Sequence, residues 1–395
     1  MAEAPRATEA VTREIPSDTL ATLAHEIPTS LLPALVTGIL AASPAALAAI
    51  EGIANAMGIG ARLAGDLRSR DPDKRRRLRL GGYTGTAALS SLTGVSGTAL
   101  VAGLLRTGAW AARGVASPER HVQVAQRTQR SSLGQAYARG RLLEHAAAVA
   151  GPIIACLLLL GVGIRTAIVL SVVPGVLALA FALRGWRRVP SEVPPPATPI
   201  TVSRLRDLVS GKLGWSFLGI AAFEFGNITV VLLILRATAL FRPDHGLVGA
   251  ARMAALGYAL YRLAASAASG AAGRLVDRIG AAPPLAAGSA ILLASYTGFA
   301  FVPDNIPGLA ACFATAGVAV GLVEPSEQTL IALHAPPDER RSLFTLLAVV
   351  DGVGVVAASL IAGVLWTVFS PAAGLLWSAP ALLLCVLALG RAHTR

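Results

Sequence analysis

The amino-acid sequence predicts an all-α polytopic membrane protein with twelve transmembrane helices, arranged as two pseudo-symmetric six-helix bundles. The first observation is composition: of 395 residues, 54% are hydrophobic and 14% are charged, and the mean hydropathy is +0.64. A soluble domain carries about 25% charged residues, so most of this chain is expected to face lipid. The second observation is a succession of apolar runs of about 20 residues, the length that crosses a hydrocarbon layer of ~30 Å.

Apolar runs of this kind occur twelve times, and each is numbered below as a span. Those of the first half lie near residues 22–42, 45–64, 80–95, 97–117, 141–162 and 164–184. Those of the second half lie near residues 213–236, 247–272, 284–302, 307–331, 342–366 and 370–390.

A long polar segment rich in proline separates the sixth span from the seventh. Six spans on each side of it predict a chain built from two halves, as in many membrane proteins with internal repeats. The predicted regions are an N-terminal cytoplasmic tail (1–20), an N-terminal six-helix bundle (21–184), a cytoplasmic central loop (185–212), a C-terminal six-helix bundle (213–390) and a C-terminal cytoplasmic tail (391–395).

The basic residues predict which side of the membrane the connections face. The formal net charge is +12, and 27 of the 34 Lys and Arg residues lie in the tails and in alternate connections. Short loops rich in Lys and Arg stay in the cytoplasm. We therefore expect a multi-pass protein of the cell inner (plasma) membrane with both termini cytoplasmic. Nucleic acid is excluded as a partner, because such short loops do not form a folded basic surface.

The sequence contains no pattern typical of an enzyme or a metal protein. Cys156, Cys312 and Cys385 lie within apolar runs, where a thiol is usually a packing residue, and no disulfide or metal-ligand spacing occurs. The phosphate-binding pattern G-x-x-x-x-G-K-[ST] is absent from the sequence, which disfavours ATP-driven transport. We expect no enzymatic activity, no cofactor and no bound metal.

The two halves echo each other at matching positions. The segment ARLAGDLRSR at 61–70 follows the second span, and GRLVDRIG at 273–280 follows the eighth. Their aspartates, Asp66 and Asp277, are 211 residues apart, which is close to half of the chain. A repeat of this length supports the prediction of two related bundles.

The pattern Gly-x-x-x-Asp-Arg-x-Gly after the eighth span, in a chain of six plus six helices with a long central loop, resembles the major facilitator superfamily. The resemblance implies a cytoplasmic gate formed by Gly273, Asp277, Arg278 and Gly280 and, in the first half, by Gly65 and Asp66. A glycine allows close helix contact or a tight turn, and an aspartate can meet a helix N-terminus or an arginine across the closure. The first-half loop lacks the regular spacing. The alternative is a solvated turn that ends a helix.

A second resemblance lies in GQAYARGRLLEHAAAVAGP, at 134–152. This segment is similar to the fifth helix of bacterial facilitators of the efflux type. In those proteins a Gly-Pro pair, here Gly151 and Pro152, bends or weakens the helix, because proline removes a backbone hydrogen bond. The family associates the pair with exporters, so the resemblance implies transport out of the cell. By its place, Arg106 matches the arginine that many proton-coupled members carry midway along the fourth helix.

Ionisable side chains inside the spans are the candidates for transport chemistry, because an unpaired charge in lipid is costly. Glu224 lies about 16 Å into the seventh span and Asp351 about 14 Å into the eleventh, both near the midplane. A carboxyl group that takes up a proton on one side and releases it on the other couples proton flow to substrate movement. We predict this role for Glu224 and Asp351, with Arg106 as a counter-charge.

Three further acids are candidates for proton coupling or for the substrate cavity. Glu51 lies nearer the outer side of the second span, and Glu324 and Glu327 are three residues apart on one face of the tenth. The alternative for all of these acids is that they pair with arginines and only hold helices together. The arginines available for such pairs are Arg62, Arg106, Arg236 and Arg262.

Three polar residues near the cytoplasmic side are better explained as structural. Glu26 and Glu144 are expected close to the membrane interface, where a charge is tolerated. His145 lies beside Glu144, and a single histidine at such a position is more often a hydrogen-bonded core residue than a functional one.

The sequence as a whole predicts a secondary active transporter that exports a small molecule in exchange for protons, by rocking two halves about a midplane site. Its expected partners are the lipid bilayer, the small-molecule substrate and protons, and it is expected to be a monomer. One alternative is an importer or uniporter of the same fold. Another is a membrane receptor or scaffold that transports nothing.

Overall fold

The structure, a computed structural model, describes residues 4–68, 72–116, 128–185, 211–336 and 339–394, and every regular element within these ranges is helical. In the first half, α1 spans Ala4–Pro33 and continues into a π-helical segment, Ala34–Ile39. The helices that follow are α2 (Pro44–Arg68), α3 (Pro72–Leu92), α4 (Ala99–Ala116), α5 (Leu133–Leu158), α6 (Ile164–Val169) and α7 (Val172–Gly185). Helix α1 therefore begins within the segment that the sequence assigns to a tail.

The second half is also entirely helical over its described residues. Its helices are α8 (Gly211–Gly226), α9 (Val230–Ile279), α10 (Ala282–Phe301), α11 (Ile306–His334), α12 (Arg340–Val368), α13 (Pro371–Leu376) and α14 (Ala379–Thr394). Helix α9 contains two membrane crossings, because Gly246, with φ +63°, interrupts it. The chain reverses direction there.

Eight helical stretches in the described part of the chain are long and apolar enough to cross a membrane. One of them, Gly214–Ile279, has 66 residues, and Gly246 divides it into the seventh and eighth crossings. Helices α1, α3 and α4 fall outside this set, although they are 30, 21 and 18 residues long, because they carry more polar and basic residues. With these three, the described residues make twelve crossings. The predicted all-α fold of two six-helix halves is confirmed.

Large apolar side chains cover the outside of the bundle. Leu100 and Phe369 are each 73% exposed, and Leu104 is 66% exposed. Apolar patches on this scale are not tolerated in water but match the hydrocarbon of a bilayer.

The two halves meet along two pairs of helices, α2 with α12 and α5 with the second part of α9. Glycines allow this close approach. A methyl group on Gly273 of α9 would lie 2.9 Å from the Cα of Gln135 on α5, and one on Gly363 of α12 would lie 3.1 Å from the Cα of Ala45 on α2. Larger side chains at either glycine would push the halves apart.

We call the face where α1 begins and α14 ends the termini side, and the opposite face the far side. Helix α5 begins and α9 ends on the termini side, whereas α2 begins and α12 ends on the far side. The halves touch on the far side as well, where the Ala45 backbone N–H donates to Thr367 Oγ1 at 2.9 Å.

Parts of two predicted regions lie outside the described residues. Residues 186–210, most of the predicted central loop, are among them, as is the side chain of Asp66, so the region boundaries and the Asp66 gate stay predictions.

Candidate functional site

Three carboxyl groups of the second half meet midway along its helices, and we call them the acid cluster: Glu224 on α8, Glu327 on α11 and Asp351 on α12. Glu224 and Asp351 lie within hydrogen-bonding reach of each other, and Glu327 interacts electrostatically with both. Glu224 and Glu327 are only 4% and 8% exposed. Asn227 Nδ2 donates to Glu224 Oε2 at 3.3 Å. Two ionised carboxyl groups this close repel each other, and one proton removes the repulsion, so this cluster is chemically suited to hold protons.

The seventh crossing is broken beside the acid cluster, over residues 227–229, where α8 ends and α9 begins. Broken backbone in a bilayer must find hydrogen-bond partners within the protein. The Ile228 N–H donates to Tyr296 Oη at 3.0 Å, and the Thr229 N–H donates to Ser359 Oγ at 3.1 Å. Discontinuous helices near the midplane are where secondary transporters hold substrates and coupling ions.

Gly354 lets α12 close onto α8 at the acid cluster. A methyl group there would lie 2.6 Å from the Cβ of Glu224 and 2.8 Å from its carbonyl carbon. One of these atoms is backbone, so the clash cannot be relieved by rotating a side chain. The glycine is therefore needed for the contact between Glu224 and Asp351.

We expect Gly354→Ala to destabilise the protein by about 1–3 kcal/mol, the usual cost of overpacking. Thermal unfolding of the purified protein in detergent measures this. Gly140→Ala is the matched control, because a methyl group on Gly140 of α5 meets no atom within 4 Å, and alanine is the better helix former. Equal stability of Gly354→Ala and wild type would contradict the prediction.

In the first half, a buried ion pair joins α2 to α4. Arg106 Nε lies 2.6 Å from Glu51 Oε1, and Nη2 lies 3.3 Å from Oε2. Nη2 also donates to Thr29 Oγ1 on α1 at 2.9 Å. Arg106 and Glu51 are 1% and 4% exposed. The counter-charge of Arg106 in this structure is therefore Glu51, and the expected pairing of Arg106 with Glu224 and Asp351 is replaced by a pair within one half.

Aromatic rings pack around this ion pair. The Arg106 guanidinium lies over the Trp110 ring at 5.6 Å, and the His25 ring meets the Trp110 ring edge-on at 4.8 Å. Among the described residues, Arg106 Nη1, His25 Nδ1 and Trp110 Nε1 are buried without a hydrogen-bond partner. Unpaired buried polar groups are costly, so these three atoms mark a place suited to a polar ligand.

Two polar connections join the halves, and the first centres on Arg262 of α9. Arg262 Nη2 lies 2.8 Å from Glu26 Oε1 on α1. Tyr258 Oη donates to Glu26 Oε2 at 2.6 Å and accepts from Arg262 Nε at 2.9 Å. Glu26 is only 4% exposed on its side chain. It is therefore neutralised by a cation from the opposite half.

The second connection centres on His145 of α5. Its Nδ1 lies 3.3 Å from Arg262 Nη1 and its Nε2 lies 3.1 Å from Glu324 Oε2 on α11. A guanidinium only donates and a carboxylate only accepts, so the contacts select the neutral imidazole with its proton on Nε2. Arg141 Nε approaches the same Glu324 oxygen at 3.4 Å. The polar network thus crosses between the halves several times.

Asp277, after the eighth crossing, binds the start of α5 in the opposite half. Its Oδ1 accepts from the Gly134 N–H at 2.7 Å and its Oδ2 from the Gln135 N–H at 3.1 Å. N–H groups in the first turn of a helix have no partner within the helix, and a carboxylate is favoured at that end. Asp277 therefore caps α5 across the boundary between the halves.

We expect Asp277→Ala to speed hydrogen exchange of the Gly134 and Gln135 amides roughly tenfold, because loss of a helix cap costs about 0.5–2 kcal/mol. Residue-resolved hydrogen–deuterium exchange measures this directly. The neighbouring exposed residue supplies the control, and Arg278→Ala should leave both rates unchanged. Protected amides in Asp277→Ala would mean that something other than Asp277 holds the cap.

The other predicted gate and bend residues occupy distinct places. Gly280, with φ +86°, forms the turn after α9. Gly65 faces the Cα of Val115 on α4, 3.6 Å from where its Cβ would lie. Helix α5 continues through Pro152, and Gly151 packs directly against the Glu26 side chain. Gly151 therefore makes room for Glu26 to reach Arg262.

A family model described as the Major Facilitator Superfamily matches residues 19–303 and 220–393, which together cover most of the chain. This chain belongs to the Major Facilitator Superfamily. No curated protein sequence matches it significantly.

Solved structures of transporters share its fold. The human organic anion transporter MFSD10 (TETRAN) superposes with a TM-score of 0.65 at 15% identity, covering 96% of this chain and 99% of that one. A bacterial homolog to the human lysosomal transporter Spinster, in an inward-facing and occupied conformation, has a TM-score of 0.67 at 15% identity, covering 98% and 96%. The nucleoside transporter NupG has a TM-score of 0.68 at 13% identity, covering 98% and 97%. At these identities the likeness establishes the major facilitator fold alone.

Within this major facilitator fold, the structure sorts the predicted site residues into three groups. Glu224, Glu327 and Asp351 come together in the acid cluster, and Glu51 pairs with Arg106. Glu324, in contrast, contacts His145 and Arg141 of the first half. Among the described residues, no group of three or more His, Cys, Asp or Glu side chains is arranged to hold a metal ion.

The residues that join the halves are only partly apparent from the sequence. Glu26 and His145, for which the sequence favours a structural role, both contact Arg262 of the other half. No motif in the sequence marks Arg141. The available signal is that ionisable residues recur near the termini-side ends of the fifth and tenth spans, but their partners lie far away in sequence.

Proposed function

We propose that this major facilitator protein is a secondary active transporter that exports a small molecule in exchange for protons. The observation that carries the proposal is the acid cluster, with Glu224 and Asp351 in hydrogen-bonding reach and Glu327 beside them. Acids crowded in a site of low dielectric repel one another, and binding a proton relieves that repulsion. The cluster adjoins the broken seventh crossing, and discontinuous helices near the midplane are where secondary transporters hold substrates and coupling ions.

Alternating access supplies the mechanism. The halves are joined by polar contacts on the termini side and by close glycine contacts on both sides. Such contacts can be broken and remade as rigid bundles rock, whereas packed cores within each half stay intact. In this proposal the termini side faces the cytoplasm of a bacterial cell, the protein lies as a monomer in the inner membrane, and its partners are lipid, substrate and protons.

The direction of transport in this proposal is out of the cell. Export is supported by the resemblance of the Gly151–Pro152 segment to efflux-type facilitators. In the structure this pair lies where α5 crosses α1 beside Glu26. A local weakening of α5 at this place would change how α5 packs on α1 as the halves rock, and an exporter takes up its substrate when they open toward the cytoplasm.

The test begins with growth of an efflux-deficient bacterium on a panel of antibiotics, dyes and metal salts, with and without the wild-type chain. A compound to which the chain confers resistance is then followed in inside-out membrane vesicles. Uptake into those vesicles should require an imposed proton gradient and stop when an uncoupler collapses it. Uptake that does not depend on the proton gradient would favour a uniporter. An expressed chain that transports no compound would favour a receptor or scaffold.

A further inference from the structure

Arg141 on α5 of the first half faces the acids of the second half. Its electrostatic partners, in decreasing strength, are Glu324, Glu144, Asp351 and Glu327. The interaction is mutual, because Arg141 also acts on Glu327 and on Asp351. Two members of the acid cluster are therefore within the field of one cation from the opposite half.

Direct contacts hold Arg141 in this place. Its Nη1 lies 3.0 Å from Glu144 Oε2 on the same helix, and its Nε lies 3.4 Å from Glu324 Oε2 on α11. Gln328, also on α11, is assigned the amide orientation in which its oxygen faces the guanidinium, and that oxygen then accepts from Arg141 Nε at 2.9 Å. Arg141 is thus bonded to the second half at two adjacent turns of α11, the helix that carries Glu327.

We propose that Arg141 is the positioning residue that couples the proton load of the acid cluster to closure of the termini side. The proposal rests on the proposed function, since it assumes that the cluster takes up and releases protons. It assigns Arg141 no contact with the substrate. Its role is to make the attraction between the halves depend on the charge of the cluster.

Coulomb attraction in a medium of low dielectric determines whether protonation of the acid cluster favours opening or closing of the termini side. When Glu327 and Asp351 are deprotonated, their negative charges draw Arg141 toward the second half and favour the closed termini side. When they are protonated, part of that attraction is lost and opening becomes easier. The remaining charged or titratable groups around Arg141 and its partners are Arg62 of α2, Arg113 of α4, Glu144 and His145 of α5, Tyr261 and Arg262 of α9, Glu324 of α11 and Glu26 of α1.

Opening of the termini side on protonation is what the exchange of protons for an exported substrate requires. The proton-loaded form opens toward the cytoplasm, releases its protons and takes up substrate. The deprotonated acids then attract Arg141, and the termini side closes. A ligand-linked equilibrium of this kind typically shifts by about 5- to 150-fold.

Distance measurements on the full chain test the proposal. Spin labels are placed at Lys74→Cys on α3 and Arg274→Cys on α9, two exposed positions in opposite halves, after the native Cys156, Cys312 and Cys385 are replaced. Double electron–electron resonance in lipid nanodiscs then gives the population with a wide termini side. In the labelled parent chain we expect this population to rise as the pH falls from neutral to mildly acidic.

Arg141→Gln should raise the wide population at neutral pH roughly tenfold and abolish its pH response. Arg141→Lys, which keeps the charge, should retain the response. Arg139→Gln makes the same charge change at an exposed position on the same helix and should behave as the parent. Glu327→Gln combined with Asp351→Asn should raise the wide population of the parent chain at neutral pH. The same pair of substitutions should not raise it further in the Arg141→Gln background.

Three results would overturn the proposal: a parent chain without a pH response, an Arg141→Gln chain that keeps it, or an Arg139→Gln chain that loses it equally. Proton-driven transport measured on the same proteins separates this outcome from failure of the proposed function. A parent that transports with protons while Arg141→Gln keeps a normal pH response refutes the coupling role alone. A parent in which transport ignores the proton gradient refutes the proposed function as well.

Discussion

Glu224→Gln and Asp351→Asn are each expected to lower proton-driven transport by about 100-fold, the lower range for losing a positioned proton-transfer group. Each substitution keeps the size and hydrogen-bonding capacity of the side chain but removes its ability to release a proton. Exchange of labelled for unlabelled substrate across the membrane, which needs no net proton movement, should persist. The measurement compares gradient-driven uptake with exchange in the same vesicles.

The split between the two assays is what identifies a proton-coupling role. A substrate-binding role for Glu224 or Asp351 would lower exchange and gradient-driven uptake together. Asp304→Asn serves as the matched control, because Asp304 is an exposed acid between α10 and α11 and should change neither assay. Full gradient-driven uptake by both variants would remove the acid cluster from the mechanism.

Arg106→Ala is expected to destabilise the protein by about 3–5 kcal/mol, the cost of breaking a buried ion pair by removing one partner. The reason is that Glu51 would remain buried at 4% exposure with its cation gone. Thermal unfolding in detergent, followed by loss of the monodisperse peak in size-exclusion chromatography, measures the effect.

A double-mutant cycle isolates the pair itself. Because Glu51→Leu with Arg106→Leu leaves no unpaired charge, the double variant should be more stable than the sum of its two singles predicts. Lys74→Ala, a cation removed from an exposed position, should cost little. Additive effects in the cycle would show that Arg106 and Glu51 do not act as a pair.

The number, order and approximate position of the crossings follow from the sequence, because a bilayer accepts only helices of a given length and apolar character. The least apolar crossings, however, are longer than the apolar runs that predict them. Helix α3 begins at Pro72 with a run of arginines, eight residues before the predicted third span, and α1 starts at Ala4 instead of near residue 22. Polar residues at the end of a helix can adopt helical conformation, but a search for apolar runs does not include them.

The broken seventh crossing shows where apolar periodicity fails. The sequence predicts one uninterrupted span over 213–236, and the structure interrupts it at 227–229. The interruption is stable only because Tyr296 and Ser359, from two other helices, bond to the freed N–H groups. No local pattern reports partners that lie 68 and 130 residues away.

By itself, the sequence determined that this protein is a two-half membrane bundle and that Glu224 and Asp351 are ionisable residues deep within its spans, since both conclusions rest on the cost of placing polar groups in lipid. Only the tertiary structure decided which charges meet: Arg106 with Glu51, Glu26 with Arg262, and Arg141 with the acids of the opposite half. The physical reason is that a buried charge requires a partner, but the partner's identity depends on how each helix is rotated and which helix it packs against. Those rotations are set by close contacts such as that of Gly354 with Glu224, which form between residues distant along the chain.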